Sequence, residues 1–185
     1  GSTLYPAVLK SSSAYNYPSL VCWNSATSNN NVFIEFDTEG GLGTARGSID
    51  YNRGSGVVRY NTTSDQRLKK NIEDSELGLE FINKLRTVKY NWRPSIEVPE
   101  ELVNHHAEEN RMDTETTMHG FIAQEVKQAL NEVGVTDFAG WHEQDDGVQG
   151  ISYEMFVMPL VKAVKELSAK IEAQQQEINA LKGAQ

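Results

Sequence analysis

Cysteine is almost missing from this chain: Cys22 is the only one in 185 residues. An intrachain disulfide is therefore impossible, and the four-cysteine zinc patterns are excluded. No apolar run approaches the roughly 18 residues of a membrane span. No charged-then-apolar signal segment opens the chain, and Gly1-Ser2 reads as a cloning remnant, which would make this chain the end of a longer protein. Positive charge is in deficit, with 17 Lys and Arg against 26 Asp and Glu and a net charge of -9. That argues against a sequence-independent phosphate-binding surface, so neither a nucleic-acid partner nor membrane insertion is expected. The expected setting is a reducing cytoplasm, or an assembly made there. Apolar residues make up 38%, enough for a core but few for a compact enzyme. The length fits one ordinary domain or two small ones.

The composition changes near residue 63. Residues 1–63 are crowded with Gly, Ser, Thr and Asn and carry almost no helical pattern. Val32 to Asp37 alternates as a strand, with Gly40-Gly41 and Gly43 as turns. Gly47-Ser48-Ile49-Asp50-Tyr51-Asn52 is echoed by Val57-Val58-Arg59-Tyr60-Asn61, with Gly54 and Gly56 between. Short glycine-punctuated strands with little core fit an intertwined fibrous β-structure whose apolar partner is another chain. An ordinary β-hairpin fits them as well.

After Ser64 the pattern turns helical. Ser75 can cap a helix with Leu79, Ile82 and Leu85 on one face and Phe81 beside them. Val88, Tyr90 and Trp92 alternate as a strand that Pro94 stops. Residues 95–118 read as an acidic loop or projecting arm. Val126, Leu130 and Val133 share a helix face that Gly134 ends, and Gly140 to Gly150 reads as a loop. In the last segment Leu160, Val164, Leu167, Ile171, Gln174, Ile178 and Leu181 follow a 4-3 spacing. That is a heptad seam with Val164, Ile171 and Ile178 at a, and Leu160, Leu167 and Leu181 at d. Gln174 is its polar d residue. Self-association is favoured over a lone helix folding onto its own domain, because the tail has little else apolar to bury. Branched residues at a with Leu at d nominally favour a dimer, though a fibre stem would impose its own symmetry.

One constellation stands at the compositional junction: Ser64-Asp65-Gln66-Arg67-Leu68-Lys69-Lys70. A serine can be activated by a neutral lysine as general base. Burial or neighbouring cations favour the neutral form, and Arg67 and Lys70 would act in that direction. On one continuous helix, residues five apart lie about 140° round the axis. Ser64 must then sit in a turn before the helix, or the lysine must come from a neighbouring subunit. The plain alternative makes Ser64 or Asp65 a helix N-cap and the basic cluster a solvated helix start.

The run Tyr60 to Ile72 resembles the start of the C-terminal intramolecular chaperone domain of phage tail spikes and fibres, the S74 peptidase family. Leu85 to Trp92, His119 to Val126, and Tyr153 with Leu160 to Leu167 resemble that family's later motifs, in the same order. The resemblance implies an α+β fold in an intertwined homotrimer. Residues 1–63 would be the β-rich end of a fibre shaft or receptor-binding region. Residues 64–185 would be a mixed α/β chaperone domain ending in a coiled-coil helix over about 154–183. It implies a folding clamp for the upstream shaft, which then releases itself by a single-turnover cut at Thr63–Ser64. Ser64 would be the nucleophile and Lys69 the general base, with Asp65 and Arg67 shaping the turn and His119 in support. Assembly would take place in the host cytoplasm, leaving the fibre in the virion tail and the chaperone released. Related readings are a trimerising tip that is never cut, and a tip in which Tyr15, Tyr17, Trp23 and Tyr51 read a host surface receptor.

No cofactor or metal is implied. His105-His106 with Glu108-Glu109 and His119 lack the helical spacing of a zinc site. Trp141-His142 with Asp145-Asp146 lacks the paired-acid spacing of a glycosidase. The acidic surface is read as solvation and as repulsion between fibres.

Overall fold

The computed structural model describes residues 20–38 and 43–183. They fall in two compact units divided between Ile72 and Glu73. The turn glycines Gly40 and Gly41, and the aromatics Tyr15 and Tyr17, lie outside the described residues.

The first unit is a three-stranded antiparallel meander of β1 (Asn31–Thr38), β2 (Thr44–Asn52) and β3 (Val57–Thr62). The Tyr-Asn echo is a hairpin within one chain: Ile49 pairs Tyr60, and Tyr51 pairs Val58. Gly56, at φ +71°, makes the reversal that an L side chain would resist. Alternation sorts the sheet into two unlike faces. One carries Asp50 hydrogen-bonded to Arg59 and Asn61 to Ser48. The other carries Ile34, Phe36, Ile49, Val58 and Tyr60, of which Phe36, Val58 and Tyr60 stand exposed.

The second unit is built from α1 (Leu79–Lys84), β4 (Val88–Tyr90), β5 (Met118–Gly120), α2 (Ala123–Glu132), β6 (Trp141–Glu143), β7 (Gln149–Ile151) and α3 (Val157–Gly183). The core gathers Leu77, Phe81, Val126, Ala129, Leu130 and Phe156. Phe156 is its hub, with the rings of Phe138, Phe121 and Phe81 at 5.2, 5.4 and 6.2 Å. Gly134, at φ +76°, ends α2 as its spacing predicts.

Four local expectations change. Ser75 does not cap α1: its hydroxyl accepts from Leu77 N–H, and the N-cap is Gly78, which has no side chain to offer. Glu166 of α3 supplies the missing acceptor, taking Leu79 N–H at 2.7 Å. The strand expected to reach Trp92 stops at Tyr90, opposite Met118, the first residue of its partner β5. The Gly140–Gly150 loop holds the β6–β7 hairpin. The 95–118 segment, read as a loop or a projecting arm, is a loop that closes on itself over residues 95–111. Ser95 is fully buried, takes Arg111 N–H on its hydroxyl and His106 N–H on its carbonyl, and gives its own N–H to Asn110.

α3 packs on α1, where Glu166 takes the Leu79 N–H, and its buried residues Pro159 and Ala163 share a stripe with Glu166. The heptad positions lie one step round the helix from that stripe. All six apolar seam residues are exposed, from 43% at Leu167 to 72% at Leu181.

Candidate functional site

The strand β3 delivers the chain to the junction. Thr63 carries the ladder one residue further, giving its N–H to the Arg46 carbonyl at 3.0 Å and its hydroxyl to the Ala45 carbonyl at 3.2 Å. The backbone then breaks from the strand at Asp65, whose extended conformation and free carboxylate suit an N-cap. Its carboxylate accepts the Arg67 N–H at 2.9 Å and two guanidinium hydrogens at 3.0 and 2.6 Å. One 3-10 turn follows, Gln66–Leu68, closed by Leu68 N–H on Asp65 and Lys69 N–H on Gln66. Lys69 returns to extended backbone.

That tight turn answers the helical objection. An α-helix would carry Lys69 away from Ser64, whereas a single 3-10 turn between two extended residues folds the chain back. Lys69 Nζ donates to Ser64 Oγ at 2.7 Å, within one chain. The capping alternative is realised by Asp65 rather than Ser64.

The electrostatics differ from expectation in one respect. Arg67 does not bear on Lys69 as a free cation, because its guanidinium is committed to Asp65. Hydrogen bonding to Arg67 holds the Asp65 carboxyl below the usual carboxylate range, and the same contact raises Arg67. Ser64, Asp65, Arg67 and Lys69 are all exposed in the isolated chain. In water such a pair contributes little to stability, while the Asp65 carboxylate caps the turn through the Arg67 N–H.

Other candidate residues sit elsewhere. His119 belongs to β5, opposite Lys89 in the second unit, whereas Ser64 and Lys69 belong to the first. It lines an open groove of about 430 Å³ with Thr87, Val88, Phe121 and Tyr153. His105 is bonded to the Val98 carbonyl, and among the described residues no cluster of three or more His, Cys, Asp or Glu could hold a metal. Trp23 is 84% exposed, while Tyr51 is half-buried with Arg53 over its ring. Ala45 and Arg46 escape sequence reasoning altogether, because they act through backbone carbonyls that every residue possesses.

Residues 64–135 match the Peptidase S74 family, described as the chaperone of endosialidase. The S74 segment opens at Ser64 itself. It takes in the 3-10 turn, α1, the β4–β5 pair with His119, and α2, and it ends at Val135 beside the core. The segment thus spans both sides of the division at Ile72 and joins the Ser-Lys turn to the helical core. No curated protein matches the chain.

Proposed function

We propose that this chain is the trimerising chaperone of a phage tail fibre or spike, which frees itself by cutting its own Thr63–Ser64 bond. The observation that carries this is the 2.7 Å contact between Lys69 Nζ and Ser64 Oγ, at the residue where the S74 segment begins.

The chemistry follows from connectivity. Ser64 Oγ attacks the carbonyl carbon of Thr63, closing a five-membered ring. Lys69, in its neutral form, takes the hydroxyl proton and passes it to the departing nitrogen of Ser64. The C–N bond breaks, leaving Thr63 esterified to Ser64 Oγ and Ser64 with a free amine. Water then hydrolyses the ester to a Thr63 carboxylate and restores the serine hydroxyl.

Lysine serves as a base only after losing its proton, and removal from water favours that loss. Both side chains are exposed in one chain, so assembly is the step that would bury them. Two bare apolar surfaces support assembly: the α3 seam and the Phe36–Val58–Tyr60 face of the sheet. An intertwined β-shaft has high loop-closure costs and folds slowly. A trimer at its end raises the effective concentration of the three chains and sets their register. Cutting the clamp away afterwards makes the folded fibre a kinetic trap. The fibre would then stay in the virion tail and the clamp be released where assembly took place.

The test is the denatured intact mass of wild type beside Ser64→Ala and Lys69→Met. Wild type should give residues 1–63 and 64–185 as separate pieces, and both variants should stay whole. A wild type that stays whole while running as a native trimer makes the domain an uncut clamp and overturns the cleavage reading. A whole, monomeric wild type overturns the trimer as well.

A further inference from the structure

The two hydrogen bonds that Thr63 donates to β2 survive the proposed cut, because every Thr63 atom in them lies before the scissile carbonyl. We propose that they serve the product. The Thr63 N–H and hydroxyl lock the new chain end onto β2, so that release of the clamp leaves the sheet closed to its last residue. The proposal rests on the cleavage reading above and concerns what the cut leaves behind, not how it is made.

Cutting turns an interior residue into a terminus, and chain ends fray unless something ties them down. This end is open to that risk. β3 is an edge strand, paired among the described residues with β2 alone. Its last residue, Thr62, stands opposite Gly47, which offers no side chain across the ladder. Thr63, one residue further on, gives its N–H to the Arg46 carbonyl at 3.0 Å and its hydroxyl to the Ala45 carbonyl at 3.2 Å. It thus holds two successive residues of β2, and opening the end must break both bonds.

The other side of the bond is equally self-contained. Asp65 takes the Arg67 N–H, Lys69 N–H closes on the Gln66 carbonyl, and Lys69 Nζ meets Ser64 Oγ. Among the described residues, no hydrogen bond joins the Ser64–Lys69 turn to the sheet. The peptide between Thr63 and Ser64 is therefore a boundary in the hydrogen-bond pattern, and breaking it breaks none of these bonds. A cut one residue earlier would carry both anchors away with the clamp and leave β3 to end opposite Gly47.

Amide exchange of β3 and of Thr63, corrected for intrinsic rates, tests this on the whole protein. Fully cut wild type, its pieces left together, is compared with uncut Ser64→Ala. The β3 amides and the Thr63 N–H should exchange at the same rates in both. Thr63→Val keeps the shape and the strand preference and removes the hydroxyl. Once cut, it should exchange about two- to tenfold faster at Thr63 and the neighbouring amides, the effect of one net hydrogen bond. Thr63→Ser should stay near wild type. In the Ser64→Ala background the chain continues past residue 63, and the effect of Thr63→Val should be smaller. Faster exchange in cut than in uncut protein overturns the proposal, as does a cut Thr63→Val that exchanges like wild type. An equal effect of Thr63→Val with and without the cut makes the hydroxyl an ordinary strand contact and overturns it too. A Thr63→Val chain that fails to cut places the hydroxyl in the reaction instead. In each of those cases wild type still cuts and the cleavage reading survives. A wild type that never cuts brings down both.

Discussion

Asp50 and Arg59 face each other across β2 and β3, with the aspartate side chain only 7% exposed. Arg59 donates to both carboxylate oxygens, at 2.9 and 2.6 Å, and holds the Asp50 carboxyl below the ordinary aspartate range against the opposing effect of burial. A carboxyl whose folded value is lowered stabilises the fold above its unfolded value and loses that contribution as pH falls through the folded one. Protection of the β2–β3 amides, corrected for intrinsic exchange, should therefore drop as pH falls below about 4. Asp50→Asn should reduce protection at neutral pH and flatten that drop; an Asn variant with the wild-type pH profile would remove the pair from the account. Single residues were unevenly legible. Ser64 and Lys69 could be picked out by type and by resemblance. Their contact could not, because it depends on one 3-10 turn capped by Asp65. Glu166 was out of reach as the cap of α1, since it lies 87 residues from Leu79 in sequence.

The long α3 carries two stripes that differ in burial. Pro159, Ala163 and Glu166 serve the chain's own fold, and the heptad residues beside them are left in water. Ile171 lies beyond the last of the packing stripe and is 63% exposed. Ile171→Glu should leave the melting of the second unit close to wild type and shift the native mass toward the monomer. An unchanged native mass would mean that the seam does not join copies. The spacing of this helix could be read directly because its signal repeats over many turns. The β6–β7 hairpin could not, because three-residue strands carry too few alternations to stand out from a Gly- and Asp-rich loop. Its place is set by packing, with Trp141 and Ile151 against the core and Lys127 over the Trp141 ring at 4.2 Å.

Neither compact unit holds all the parts that the proposed reaction uses. The dyad and its bond lie in the first, and the seam that would gather copies lies in the second. If assembly supplies the burial that the exposed Lys69 lacks, cleavage must depend on concentration. Refolded chain should cut faster per molecule as its concentration rises, and the dependence should vanish once native mass shows complete assembly. A rate independent of concentration across the monomer range would make the dyad self-sufficient. Added salt should help assembly, because a net charge of -9 on each copy opposes it and is screened.

Composition and spacing were enough for the β-rich beginning, the helical end, the exposed seam and the residue types at the junction. Each is a local property, repeated along the chain or concentrated in one short run. Folding decided which neighbours those residues met. It placed Lys69 on Ser64, tied Thr63 to Ala45 and Arg46, committed Arg67 to Asp65, and gave α1 its cap from α3. The ties of Thr63 rest on backbone carbonyls and the cap of α1 on a partner 87 residues away, and neither leaves a mark in the order of the amino acids, whereas the two pairs within the junction needed only the tight turn to bring close residues together.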